Sequence, residues 1–362
     1  MSKTILKKLS LVTTLSVAVA TAATLTGCLT ITQSQENIAT AFPVKNGTVK
    51  AVSATVENSD AYKAGKTAAH RVKARLGGTE PHIIVVVDSY GKLEQKKELI
   101  DGVASVFKRD KIIGGAVYGV YSQDGAYEND GVGILAFGGD GVQIETALIP
   151  KMNATNLSME KDLAKLTQAL GNAGSTLAKK LPNAKSADFM FIMADAHSPK
   201  NQLFLDGIQK VVGDRLPITG GSNNKNNGLN YVYYRGGFYQ DAAWGMTVKG
   251  NDFVVKQTGL QAKTNDDVIA TAKKGAKRVS KELASAKAKP FLLSAVDCAG
   301  RMGKLDDLND ELTAIKKAVG TELTIFGNYC AGEYGVAEDK GKKTAKSVGR
   351  GWHVMFSILG QK

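Results

Sequence analysis

KPFLLSAVDCAGRMGKLDDLNDELTAIKKAVGTELTIFGNYCAGEYG, residues 289–335, holds the densest mixture of apolar runs, glycines and polar side chains in the chain. Residues 290–296 form an apolar run of strand length that breaks into Asp297, Cys298, Ala299, Gly300 and Arg301. Leu305, Leu308, Leu312, Ile315 and Val319 then recur at helical spacing, with Gly320 as the stop. A second strand over 323–326 opens into Gly327, Asn328, Tyr329, Cys330, Ala331, Gly332 and Glu333. Ligands of open α/β sheets sit beyond the carboxyl ends of the strands, which makes these two polar loops the default site.

Working outward, the same order recurs. PHIIVVVDSYG (81–91), a helix and IIGGAVYGV (112–120) make a first copy, and ADFMFIMADAHS (187–198), a helix and LPITGGSNN (216–224) a second. Asp88, Asp195 and Asp297 align in this reading, as do Gly115, Gly221 and Gly327. The aspartates read either as caps for the following helices or as residues facing a crevice. Wholly apolar strands such as IIVVV predict sheets covered on both faces by helices. The expected fold class is α/β, with three related units of about 100 residues. In the first unit, Asp60 is placed as the N-cap of a helix whose buried side carries Tyr62, Ala69, Val72 and Leu76, ended by Gly77.

With 362 residues, 43% hydrophobic, 39 Gly and 7 Pro, the chain is globular rather than disordered. Residues 1–27 have the form of a signal peptide: Lys3, Lys7 and Lys8 precede an apolar stretch too short for a comfortable membrane span. Leu25, Thr26, Gly27 and Cys28 resemble a bacterial lipobox, so Cys28 is the expected lipidation site and residues 28–47 a polar tether. The expected location is the bacterial cell envelope, on the exported side of a membrane and anchored to it. The formal charge is +13, or +10 without the three signal lysines. A basic surface near anionic lipid accounts for that excess, and scattered lysines without interleaved arginines and aromatics argue against nucleic acid.

FLLSAVDCAGR (291–301) followed by an acidic helix and IFGNYCAGEYG (325–335) resembles the C-terminal half of the FIST domain family. VKAVSATVENSDAYKAGKTAAHRVKARLGGTEPHIIVVVDS (49–89) and LPITGGSNNKNNG (216–228) look like its N-terminal part. The resemblance divides the chain into a FIST N-like domain over 48–255, holding two repeat units, and a FIST C-like domain over 256–362. Three departures stand out: Asp297 replaces a more usual Ser, GGAVYGVYS replaces a Gly-Cys-Ser segment, and the second unit has no Gly-Glu. The resemblance implies a sensory, non-enzymatic module for amino acids or related carboxylate metabolites, with signal transduction as its setting. Some relatives are thought to hold haem through histidine, which draws attention to His197; otherwise no cofactor or metal is expected.

The expected ligand-binding residues are Asp297, Cys298, Arg301, Asn328, Tyr329 and Glu333, with Asp88, Ser89, Asp195 and His197 from the other copies. Arg301 offers a planar fork for a carboxylate and Glu333 an acceptor for an amine; alternatively the two pair with each other. Cys298 and Cys330 form either a disulfide or two free thiols. Cys298 as the nucleophile of an exported hydrolase is the enzymatic alternative, and a structural envelope lipoprotein without ligand a third reading. The acidic DLNDE (307–311) reads as the solvated first turns of its helix, and Trp244 as core.

Overall fold

The computed structural model describes residues 47–225, 228–339 and 341–362. The signal-peptide and lipidation expectations for residues 1–27 and Cys28 lie outside the described residues, as does the tether up to residue 46. The first unit runs β1 (Lys50–Glu57), α1 (Ala61–Leu76), β2 (Pro81–Asp88), α2 (Leu93–Ala104), β3 (Ile112–Ala116), β4 (Gly119–Ser122), β5 (Gly125–Tyr127) and β6 (Gly131–Gly138). The second runs β7 (Val142–Ile149), α3 (Leu163–Lys179), β8 (Phe189–Ala194), α4 (Asn201–Val212), β9 (Ile218–Ser222), β10 (Val232–Tyr234), β11 (Gly237–Tyr239) and β12 (Ala243–Gly250). The third opens with β13 (Phe253–Gln261), α5 (Asn265–Ser285), β14 (Lys289–Cys298), a single turn α6 (Ala299–Met302), α7 (Leu308–Val319) and β15 (Ile325–Cys330). It closes with β16 (Glu333–Gly335), the two-residue ribbon β17 (Glu338–Asp339) and β18 (Lys342–Lys343), β19 (Val348–Arg350) and β20 (His353–Gln361).

Three six-stranded sheets result, ordered β1-β6-β2-β3-β10-β11, β19-β16-β9-β8-β12-β7 and β13-β20-β14-β15-β4-β5. Four strands of each come from one unit and the two at one edge from another. β10 and β11 of the second unit complete the first sheet, β16 and β19 of the third complete the second, and β4 and β5 of the first complete the third. The exchange closes in a circle. It also corrects the reading of residues 112–120 as one strand: after β3, Val117 and Tyr118 carry the chain across into a different sheet.

The apolar strands are buried on both faces, but by different partners on each. Ile84 and Val86 of β2 pack against α1 and α2, whereas Ile83, Val85 and Val87 join a central cluster with Phe189, Phe191 and Met193 of β8 and Leu292 of β14. Helices therefore cover only the outer face of each sheet, and the inner faces cover one another, which corrects the expectation of helices on both sides. Trp244 is in that centre, donating Nε1–H to Gly114 O at 2.7 Å.

Asp60 caps α1 by accepting from Lys63 N at 2.9 Å, and Gly77 ends the helix in the left-handed region at φ 56°. Tyr62 does not join the buried side of α1; it is 41% exposed. The reason lies in the helix contact. A Cβ on Gly65 would stand 2.4 Å from Leu99 O, and one on Gly102 would stand 2.2 Å from Tyr62 O, so α1 and α2 meet backbone to backbone. That contact has no room for a tyrosine ring.

Candidate functional site

Backbone hydrogen bonds fix which residues of the three units are equivalent. Val117 N donates to Asp88 O and Asn223 N to Ala194 O, while Ser89 N donates to Gly131 O and Asp195 N to Ala242 O. Ala194 therefore matches Asp88, and Asp195 matches Ser89. The expected alignment of Asp195 with Asp88 and Asp297 is one residue out. Strand pairing agrees: Val86 faces Gly114, Ile192 faces Gly220 and Ala295 faces Gly327, which replaces Gly115, Gly221 and Gly327 as the equivalent glycines.

This shift sorts the expected site residues onto two faces, because side chains alternate along a strand. Asp88 and Asp297 point outward, toward the helices. Ser89, Asp195 and Cys298 point inward at the carboxyl ends of β2, β8 and β14. Val117, Asn223 and Cys330 follow the neighbouring strands. Those ends are stitched together, with Tyr118 N donating to Tyr329 O, Ala331 N to Ser222 O and Asn224 N to Ala116 O.

The outward aspartates serve two sealed ion clusters. Asp88 accepts from Lys96 Nζ at 2.6 Å and Tyr90 N at 3.1 Å, and also from the Tyr233 hydroxyl; both Asp88 and Lys96 are fully buried. Asp297 accepts from Arg301 Nε at 2.6 Å and from its own neighbour Cys298 N at 2.8 Å. Arg301 donates further to Glu311 Oε1 at 2.7 Å, Thr271 Oγ1 at 3.0 Å and Val268 O at 3.2 Å, and Tyr329 donates to Glu311 Oε2 at 2.8 Å. Neither aspartate caps the helix that follows; Lys92 holds the N-cap position of α2, and Cys298 and Asp307 hold those of α6 and α7.

Arg301 is fully buried and committed, so it presents no fork to a ligand, and its partners are Asp297 and Glu311 rather than Glu333. Glu311 is fully buried, against the expectation of a solvated DLNDE. Burial raises the Asp297 carboxyl well above the usual range, opposed by the Arg301 charge and reinforced by Glu311. The second unit has Ala194 at this position and shows no such cluster among its described residues.

The inward residues are of another kind. His197 Nε2 lies 3.3 Å from Asp195 Oδ1 and 3.3 Å from Asn223 Oδ1. Asp195 also accepts from Asp241 N at 2.9 Å and from Asn230 Nδ2. Burial pushes Asp195 up to about 6 and His197 down to about 4, so at neutral pH the pair is a carboxylate beside a neutral imidazole. The committed Nε2 does not fit an axial haem ligand.

Glu333 is fully buried; its Oε2 accepts from His353 N at 3.1 Å, the Cys298 thiol is another of its neighbours, and burial pushes it up to about 8. Five buried side-chain atoms around these strand ends make no hydrogen bond among the described residues: Asn223 Nδ2, Asn328 Oδ1 and Glu333 Oε1 among the inward residues, and Asp297 Oδ2 and the Tyr334 hydroxyl on the outward face. Cys298 and Cys330 are in register on β14 and β15 and are both free thiols; Cys298 Sγ accepts from Gly300 N and Cys330 Sγ donates to Gly332 O. Trp352, 36% exposed and left-handed at φ 64°, lays its ring against Gly300 beside them.

The FIST N domain matches residues 83–275, more than half of the chain. This protein belongs to the FIST family. The match reaches from β2 of the first unit into α5 of the third and so includes Ser89, Asp195, His197 and Asn223. No curated protein matches the chain. Solved structures similar to this FIST chain include a cyanuric acid hydrolase from A. caulinodans, at 9% identity and a TM-score of 0.47, covering 87% of this chain and 99% of that one. A second cyanuric acid hydrolase structure matches at 7% identity and 0.43, covering 87% and 100%. PurLQS from Thermotoga maritima matches at 10% identity and 0.30, covering 87% and 73%.

Proposed function

We propose that this FIST protein is an exported, lipid-anchored sensory component that binds a small metabolite carrying an amine and a carboxylate at the inward strand ends, without catalysing a reaction on it. Cys28 carries the anchor in this reading. Family membership supports the sensory, small-ligand class of function. The observation that carries the ligand chemistry is the set of unpaired buried atoms Asn223 Nδ2, Asn328 Oδ1 and Glu333 Oε1 around Asp195 and Cys298. A buried polar atom without a partner costs about 1–3 kcal/mol, so a ligand that pairs with it gains that amount on binding. The amide of Asn223 suits a ligand carboxylate, while the Asp195 carboxylate and Asn328 Oδ1 suit an amine and Glu333, protonated at neutral pH, offers a neutral carboxyl.

The site set narrows accordingly. Ser89, Asp195, His197, Asn223, Cys298, Asn328 and Glu333 surround the ligand position; Asp88, Asp297, Arg301 and Tyr329 hold the strands that carry them. Burial pushes the Cys298 thiol up to about 12, which disfavours the thiolate that a hydrolytic nucleophile needs. The reading requires no cofactor.

The test is calorimetry and thermal shift on the purified protein with a panel of amino acids and related metabolites. At least one should raise the melting temperature, and Asn223→Ala and Asp195→Asn should each weaken it about tenfold or more while Asp60→Ala leaves its affinity unchanged. A wild-type protein whose melting temperature no member of the panel moves would be a structural lipoprotein instead.

A further inference from the structure

Exposed cations outnumber exposed acids at one end of the molecule. In each unit the strands β2, β8 and β14 run from one end, here the foot, to the strand-end site at the other. Connections at the foot include residues 104–112, 179–189, 285–289 and 316–322. They are rich in exposed cations, among them Lys108, Lys179, Lys185, Lys287 and Lys289, and Lys73 near the end of α1 adds another. Several acids of the foot are already paired: Glu80 with Lys111 at 2.6 Å, Asp188 with Lys249 at 3.8 Å and Asp214 with Lys346 at 3.1 Å. The opposite end mixes both signs, with acids at 128–130, 160–162 and 306–307 and in the first turns of α5 and α7 beside exposed Lys63, Lys151, Lys161 and Lys263.

Two further observations belong to the foot. The chain enters there: Gly47 O accepts from Gln361 Nε2 at 3.4 Å, and β1 begins at Lys50. A cleft of about 650 Å³ also opens between the ends of α1 and α2, lined by His70, Lys73, Lys108 and Lys111 above Leu76 and Phe107. Amphipathic lining of this kind suits an anionic headgroup with the start of its acyl chains.

We infer that the foot is a docking face for an anionic phospholipid surface, holding the strand-end site away from the membrane. The inference rests on the lipid-anchor reading for its setting. From Cys28 to Gly47 the chain spans at most about 65 Å when extended, so an anchored molecule stays within reach of the bilayer but is not oriented by its tether. Clustered lysines supply the orientation, because anionic lipid attracts cations within about a Debye length.

The experiment uses the processed chain carrying Cys28→Ser, so that no acyl chain contributes, in flotation with phosphatidylcholine vesicles and with vesicles holding about 30% phosphatidylglycerol. Expected is binding to the anionic vesicles alone, lost near 0.5 M salt, roughly where screening contracts to a few ångströms. Lys73→Glu, Lys108→Glu and Lys289→Glu together should weaken it about tenfold or more, with an unchanged melting temperature. Reversing Lys63, Lys151 and Lys263 at the other end should not.

Equal binding to both vesicle types, equal effects of the two triple variants, or a preference for short DNA duplexes over anionic vesicles would each overturn the proposal. Failure of the anchor reads out separately: wild-type protein would then wash off cell membranes in high salt, whatever the foot variants do.

Discussion

Glu311 lies ten residues after Arg301 and binds its guanidinium at 2.7 Å with neither side chain exposed to solvent. Removing one member of such a pair strands a buried charge at a cost of about 3–5 kcal/mol. Arg301→Ala and Glu311→Ala should therefore each lower unfolding free energy by that order in urea titrations. A stable Arg301→Ala protein that has merely lost ligand affinity would return Arg301 to the binding site.

Glu333 makes stability depend on pH in an unusual direction. Its folded pKa, about 8, stands above the ordinary 4.5, so the folded state holds a proton that the unfolded state has released. That contribution is complete below about 4.5 and declines as pH rises to about 8, by at most about 1.4 kcal/mol per unit. Asp195 acts in the same sense between about 4 and 6, whereas His197 adds stability as pH rises over about 4 to 6.5. Between 6.5 and 8 only the Glu333 contribution remains of these three. Denaturation midpoints should fall across that interval in the wild type, and Glu333→Gln should flatten the slope.

Burial raises both cysteine thiols, Cys298 to about 12 and Cys330 well above the usual thiol range. Native protein at pH 8 should react with iodoacetamide orders of magnitude more slowly than a free cysteine, and denaturant should release both thiols together. Rapid single-site labelling of Cys298 in the native state would revive the hydrolase reading.

Gly220 adopts φ 142°, and a Cβ there would stand 1.8 Å from Ile192 O. No rotamer change relieves a clash with backbone. Gly220→Ala should cost at least about 2 kcal/mol, seen as a melting temperature several degrees lower, while Gly171→Ala, with open space at its Cβ, should be neutral or stabilising.

Much of this architecture is legible in the sequence, since the apolar run 83–87 and the capping pair Asp60 and Gly77 are local signals. The exchanged hairpins are not. Residues 119–127 and 232–239 pair with strands more than a hundred residues away, and nothing in their own composition names the partner. The buried ions left a trace that was easy to miss. Lys96 lies between Leu93 and Leu99 or Ile100, and Glu311 between Leu308 and Ile315, so each sits on the apolar stripe of its helix. A charge on such a stripe predicts a buried partner, and the strand-end aspartates were available for the role. The misplacement of Asp195 came from aligning residue types. The hydrogen bonds to Asp88 O and Ala194 O and the register of the parallel strands place it with Ser89 and Cys298.

The circular exchange of hairpins sets an order of events during synthesis. β4 and β5 emerge early, yet the strand they join, β15, follows about two hundred residues later. At ordinary elongation rates that is a wait of roughly ten to forty seconds, during which the first third can collapse but cannot close. Such a chain stays incomplete until its last unit is made, so its fold is completed only after most of its length has left the ribosome.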